Sequence, residues 1–444
     1  MTSHAPRVLL SWEPPPHYMP PFRISERQVT TCTVFDPSPN IFRCIDFERE
    51  DPPIDVWTPR GDYDLRQHLE CQGVDPDFDA VFVWRGANGP NRAQLTGFRC
   101  PRFLLVGDSH HTEAPLRSLL AYAASERFDG VVVSFNRQHA HWFSGAGVPR
   151  VYWIPWLPFR DHERAWTDAR EPSIAFAGQI ASYHPYRASL LAAMRDANVP
   201  VRGGLCSRQA AMDLYATSAA SFNASLNGDL NLRVLEVMSA GGCLLTDRLS
   251  PEAGLDLLFE LGTQFLAYSS AEELIDKAKF LLARPSAALD IARAAHRVAT
   301  PLRSARARAS ELLEWALDNR LRAERDPLRD ERCRVAPTAL ADFDRRVDVY
   351  EAILETHRVT PIVRVLFADG APAQSALDAI DLPRVESCAL TCAHETRALA
   401  DACGLASRVR FLEGETARGM LFDIVVGTRE ALGDYSGLTK IELS

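Results

Sequence analysis

Short apolar runs recur along this chain, each followed by a segment with helical spacing. The runs at 7–12, 80–84, 103–106 and 130–134 are rich in Val, Leu and Phe, and a helical pattern covers 114–125. Runs of that length are strand-sized, and strands apolar on both faces belong in a parallel sheet covered by helices on both sides. The first half therefore reads as an α/β domain whose first strand is stopped by Pro14, Pro15 and Pro16.

The pattern then restarts twice. Residues 151–170 are aromatic and proline-rich before turning polar, and read as an interdomain linker whose aromatics still pack. A second series follows: strand 173–178, helix 186–198, strand 199–202, helix 207–218 and strand 220–223, with helices later at 271–282, 286–298 and 301–322. A third begins near 336, with helices 343–356 and 395–403 and strands 362–367, 387–391, 409–411 and 422–426. The expected domains are 1–160, 161–330 and 336–444, in keeping with a 444-residue chain, for which two to three domains is the rough expectation. Ligands of parallel α/β sheets sit outside the carboxyl ends of the strands, so the chemistry is expected in a cleft between the first two.

Composition narrows the partners. A net charge of −9 argues against nucleic acid, and the arginine cluster over 303–325 reads as a solvated helix face. No apolar run approaches the roughly 20 residues of a membrane span, and the first residues lack a signal-peptide core, so the protein is expected in the cytoplasm. Ten scattered cysteines without a C-x-x-C pair read as reduced structural thiols, with no metal site.

The stretch Ser225 to Asp247 carries the most chemistry. Glu236 shares a helix with Leu232, Leu235 and Met238, and Gly241-Gly242 lead into the apolar strand 243–246. A carboxylate accepts hydrogen bonds from ribose hydroxyls, and glycines let backbone approach a ligand closely. Asn231 and Arg233 precede Glu236, while Gly178 and Arg187 bracket a strand end and a helix start. Arginines and helix N-termini stabilise phosphate charge. In the first domain Asp108, His110 and His111 follow a strand, at the edge where an acid–base group belongs. Asp108 or Ser109 equally reads as a helix N-cap there, and a metal site lacks a third ligand. The segment 84–91 either shapes a pocket or is a surface loop, and Trp153 and Trp156 read as packing residues.

These pieces, in order, resemble one family. Val106-Gly-Asp-Ser-His-His111, the runs 128–134, 151–155 and 174–178 with Arg187, then 222–225, 231–246 and 268–274, are similar to CgeB-like (spore-maturation-type) glycosyltransferases. Residues 1–80 match weakly. The resemblance implies GT-B architecture: two Rossmann-like domains facing a cleft, followed here by a C-terminal α/β appendage. It implies a nucleotide-diphosphate sugar as donor substrate, bound by the second domain at Gly178, Arg187, Asn231, Arg233, Glu236, Gly241 and Gly242. It further implies an acceptor held by the first domain near Asp108, His110 and His111, transfer with retention, no metal or other cofactor, and a helix over 301–322 that crosses back to the first domain. Related retaining enzymes carry an acid eight residues before the ribose-binding one, where this chain has Gly228 beside Asp229. Residues 404–415 with 422–426 resemble the middle of class I methyltransferases, although 367–373 holds one glycine and the ribose acid is replaced around Thr391-Cys392. Two other readings remain at this point: a non-catalytic two-lobed nucleotide- or sugar-binding protein, and a bifunctional glycosyl- and methyltransferase.

Overall fold

The computed structural model describes residues 5–14, 19, 23–33, 54–86, 91–110, 113–160, 164–180, 184–327, 340–359, 363–390 and 394–443. The first unit contains strands β1 (Arg7–Trp12), β2 (Arg27–Thr33), β3 (Val56–Thr58), β4 (Asp62–Asp64), β5 (Ala80–Arg85), β6 (Arg92–Gln94), β7 (Arg102–Val106), β8 (Gly130–Val133) and β9 (Val151–Trp153). Seven of them form a parallel sheet in the order β3-β2-β1-β5-β7-β8-β9, and β4 pairs with β6. One strand here is unmarked in the sequence and one expectation changes. The Thr-rich strand β2 lacks the apolar run that marks its neighbours, yet it pairs along its length with β1. Val151–Trp153, expected as linker, is the sheet's last strand, because its three side chains are buried before Pro155 ends the pairing.

The second unit holds β10 (Glu171–Ala177), β11 (Val201–Gly204), β12 (Ser218–Phe222), β13 (Leu244–Asp247) and β14 (Phe265–Tyr268), all parallel in the order β11-β10-β12-β13-β14. Helix Ala305–Asp318 then returns to the first unit. Its Trp315 is fully buried, stacked on Tyr152 with ring centroids 5.3 Å apart and lying against Phe103. Gly130 makes room for that indole, since a Cβ there would come within 2.6 Å of it. The arginine cluster is only partly a solvated face. Arg308 and Arg325 are buried, and Arg308 donates to the carbonyls of Leu302 and Phe159 at 2.7 Å each, which ties the returning helix to the end of the first unit.

The third unit is a parallel sheet of β15 (Val363–Phe367), β16 (Val385–Leu390), β17 (Val409–Leu412), β18 (Leu421–Gly427) and β19 (Ser436–Glu442), in the order β17-β16-β15-β18-β19. Past Val426 the chain forms one more strand, β19, paired along β18. Helix Leu340–Val359 precedes the sheet and packs on both other units. Phe343 and Tyr350 lie against Trp142, Tyr350 Oη is 2.8 Å from His139 Nε2, and Arg117 is paired with Asp348. Buried Arg346 grips Asp378 through two bonds of 2.9 and 3.0 Å. Burial alone pushes the Asp378 carboxyl up, but Arg346 and His141 outweigh it and hold it well below the usual carboxylate range. No helix among the described residues is long and apolar enough to cross a membrane, and the described cysteines are all free thiols.

The His139 junction sets a pH dependence. Burial, reinforced by neighbouring His110 and His141, pushes the His139 imidazole well below its ordinary value of 6.5. The unfolded chain takes up a proton near that value and the folded protein does not, so stability is complete above it and declines as pH falls. The expected contribution is up to about 1.4 kcal/mol per pH unit below pH ~6.5. Denaturant titrations from pH 7.5 to 5 should show a shallower decline for His139→Gln than for the native protein; parallel slopes would contradict the assignment.

Candidate functional site

The first and second sheets turn their carboxyl ends toward one cleft of ≈ 780 Å³. On the first unit's side the floor is Trp12 and Trp84, stacked 4.9 Å apart at the ends of β1 and β5, where the strand order reverses. Behind them the buried Glu13 receives a 2.6 Å bond from Arg85. Burial pushes the Glu13 carboxyl up to about 7 against the pull of Arg85.

The second sheet reverses its order between β10 and β12, and the crevice outside such a reversal is where α/β proteins bind ligands. Arg233 occupies it, with Nε on the Ala177 carbonyl at 2.9 Å and Nη1 on Asn223 Oδ1 at 2.8 Å. Gly178 has φ +148, and a Cβ at that position would collide with Arg233 Nη2, so this residue must be glycine for the arginine to lie flat across the strand ends. Arg187 donates to the Ala224 carbonyl at 2.9 Å. Burial first, then the like charge of Arg233, brings Arg187 down to about 10, still cationic at neutral pH. Its Nε has no hydrogen-bond partner among the described residues. The nearby carboxylates of Asp229 and Asp247 offset part of that repulsion, and an anion bound between the two guanidiniums would offset more.

Helix Leu232–Ser239 begins at the same edge and turns Glu236 to the cleft, while Val234, Leu235, Val237 and Met238 are buried behind it. The Glu236 carboxylate is half-buried and accepts no hydrogen bond from the described residues. Asn231 caps this helix with its backbone, whose carbonyl accepts a 3.0 Å bond from Trp156 Nε1. Its side-chain Oδ1 is buried with no hydrogen bond from the described residues. Asn231, Arg233 and Glu236 thus converge with Arg187 on one wall.

The other expected residues sit elsewhere. Gly241 and Gly242 end the helix on its far side, where a Cβ would meet the Trp166 ring at 2.9 Å or the Tyr215 carbonyl at 2.9 Å. They pack the second unit and do not line the cleft. Asp108 does line it, whereas His110 is fully buried, with Nδ1 2.6 Å from Asn136 Oδ1 and Nε2 3.8 Å from Asp229 Oδ2. His111 lies outside the described residues. Within the segment 84–91, Trp84 and Gly86 line the cleft and 87–90 lie outside the described residues.

Two cleft residues, Trp12 and Arg358, carry no separate sequence signal, and Asp229, noted beside Gly228, joins them in the lining. Asp229 closes the turn Ser225–Asn231, accepting from the Leu226 amide at 2.9 Å. That turn is held from all sides. Asp247 receives the Ser225 amide at 2.8 Å and hydroxyl at 2.5 Å, and the Phe135 carbonyl of the first unit receives the Leu230 amide at 2.8 Å. From the third unit, His357 Nδ1 lies 2.8 Å from Asn227 Oδ1. Gly228 has φ +78, and a Cβ on it would sit 2.7 Å from Pro383 Cδ. The space that a side chain at position 228 would take is therefore filled by the third unit. A smaller cavity of ≈ 380 Å³ between the second and third units is lined by Asp247, Arg384 and Arg408, which serve the interface itself. Arg384 covers the Tyr186 ring at 3.8 Å, and Arg408 grips Glu252 at 2.7 Å.

Comparison with known proteins bears on the same wall. Residues 165–314 match the family model described as glycosyl transferase-like. No curated protein matches the chain. Among solved structures it is similar to Anabaena HepE in complex with UDP and glucose, at 13% identity and TM-score 0.49, over 71% of this chain and 100% of that one. It is also similar to sucrose-phosphate synthase from Thermosynechococcus elongatus, at 10% identity and TM-score 0.48, over 69% of this chain and 97% of that one. A glycosyltransferase from Rickettsia africae is similar at 11% identity and TM-score 0.47, over 70% and 98% of the two chains.

The Gly228 contact generates a test. Gly228→Ala should lower unfolding stability by about 2 kcal/mol or more, combining a left-handed backbone penalty with displacement of Pro383. Gly262→Ala is the control, because Gly262 has φ +84 and a Cβ added there would meet nothing within 4 Å. It should cost only about 1–2 kcal/mol. Equal losses in denaturant titrations would show that Pro383 does not constrain the turn.

Proposed function

We propose that this protein is a glycosyltransferase of the CgeB-like type that moves a hexosyl group from a nucleotide-diphosphate sugar to an acceptor in the cleft. The observation that carries the reading is the convergence of Arg187, Arg233, Asn231 and Glu236 at the strand-order reversal of the second sheet. The glycosyl transferase-like match over residues 165–314 covers all four.

In this reading Glu236 accepts hydrogen bonds from the ribose hydroxyls and buried Asn231 Oδ1 accepts another from the donor. Arg187 and Arg233 face the diphosphate. As the bond from the anomeric carbon to the diphosphate oxygen breaks, negative charge grows on that oxygen, and fixed guanidiniums in a partly desolvated cleft stabilise it without reorganising. The acceptor oxygen forms the new bond to the anomeric carbon from the face the diphosphate leaves, and its proton passes to the departing diphosphate oxygen, while Asp108 on the facing wall holds the acceptor or the transferred sugar. Buried His110 acts one step back, steadying Asp229 and through it the turn that starts the Glu236 helix. Trp12 and Trp84 offer the acceptor an aromatic floor. Retention of configuration and independence from divalent metal belong to the same proposal, as does a cytoplasmic setting, where free thiols stay reduced.

A thermal-shift screen of UDP-, GDP- and dTDP-sugars identifies the donor nucleotide, and transfer or slow hydrolysis of that sugar measures activity. Glu236→Ala should weaken nucleotide binding roughly 10- to 100-fold, the worth of a charge-assisted hydrogen bond. A Glu236→Ala variant with full affinity and turnover would remove the donor assignment. Excess EDTA should leave the rate unchanged; a loss restored by magnesium would remove the metal-independent part.

A further inference from the structure

The third sheet has the strand order of a nucleotide-binding unit, with its reversal between β15 and β18. That crevice is occupied by its own chain. Gly370, which follows β15, lies against the Thr428 side chain, so that a Cβ on it would collide with Thr428 Cγ2. The Thr428 amide also bonds the Asp369 carbonyl at 3.0 Å.

What this unit offers lies at the other end of helix Leu340–Val359. His357 is fully buried, reaches Asn227 with Nδ1 and donates from Nε2 to the Pro383 carbonyl. Those contacts fix the helix end against the turn that begins the donor-side helix. The next residue, Arg358, lines the same cleft as Leu226 and Asp229, with its side chain 23% exposed. It forms an ion pair with the exposed Glu355 across 3.9 Å. The charges around the cleft favour an anion. Arg160, Arg187, Arg208, Arg233 and Arg358 outnumber Asp108, Asp229 and Glu236, in a chain of net charge −9.

We propose that Arg358 is a third diphosphate-binding arginine, supplied by the C-terminal unit, so that this unit is part of the transfer site. The inference rests on the glycosyltransferase reading above and adds the partner of one phosphate group. Arg187 and Arg233 approach the diphosphate from the second sheet, and Arg358 approaches from the side closed by the turn Ser225–Asn231. A planar guanidinium on that side pairs two phosphate oxygens at once, which an ammonium cannot reproduce.

The experiment uses the full-length protein and whichever of UDP, GDP or dTDP binds it. Titration calorimetry compares that nucleoside diphosphate with its nucleoside for the native protein, Arg358→Ala and Arg358→Lys. The expected result is about 10-fold or greater weakening of the diphosphate by Arg358→Ala, partial recovery in Arg358→Lys, and nucleoside affinity unchanged in both. Unchanged diphosphate affinity in Arg358→Ala overturns the proposal while leaving the glycosyltransferase reading intact. So does equal weakening of diphosphate and nucleoside, which marks a structural role. Native protein that binds no nucleoside diphosphate removes both.

Discussion

Everything at the cleft depends on how the turn Ser225–Asn231 is satisfied. Its backbone is buried where three α/β units meet, and a buried N–H or C=O without a partner costs on the order of 1–3 kcal/mol. Backbone partners come from two units, Asp247 of the second and the Phe135 carbonyl and Gln138 of the first, while His357 of the third contacts the Asn227 side chain. Because the turn leads directly into helix Leu232–Ser239, those bonds set the direction in which Arg233 and Glu236 project. The site is thereby a property of the assembled chain, and no single unit contains what orients it.

The same arrangement explains why the two arginines persist so close together. Arg187 and Arg233 sit over Phe176 and spend most of their donors on strand-end carbonyls and Asn223, which fixes them without neutralising them. No acid accepts a hydrogen bond from either among the described residues; Asp229 and Asp247 act on Arg187 only through their charge, and Glu236 lies further along the helix. A cationic pocket built this way gains most when a diphosphate enters.

Much of this was legible in the residues. Continuous apolar runs marked β1, β5, β7, β8 and the core of the second sheet, since such runs leave few alternatives to a covered parallel strand. Helical spacing placed Glu236 on the exposed face and its neighbours inward. What escaped were features set by tertiary contact. β2 is built from threonines whose strand character appears only when they pair with β1, and Val151–Trp153 is too short and too near proline to be told from a linker. Gly241-Gly242 looked like a ligand-facing pair because helix stops and close-approach glycines share one pattern; the Trp166 ring decides between them. His110 looked exposed at a strand end, yet Asn136 and Asp229 bury it. Arg358 belongs to a separate unit, far along the chain from Arg233, and local sequence cannot report such a meeting.

The most direct test is amide hydrogen exchange of the native protein with and without a saturating nucleotide sugar. If the donor binds where the three units converge, ligand-induced protection appears in three separated segments: 178–187, 225–239 and the end of the helix at 354–359. Protection confined to the third sheet, or to the first unit alone, would contradict that placement, because the donor would then lie somewhere other than the cleft.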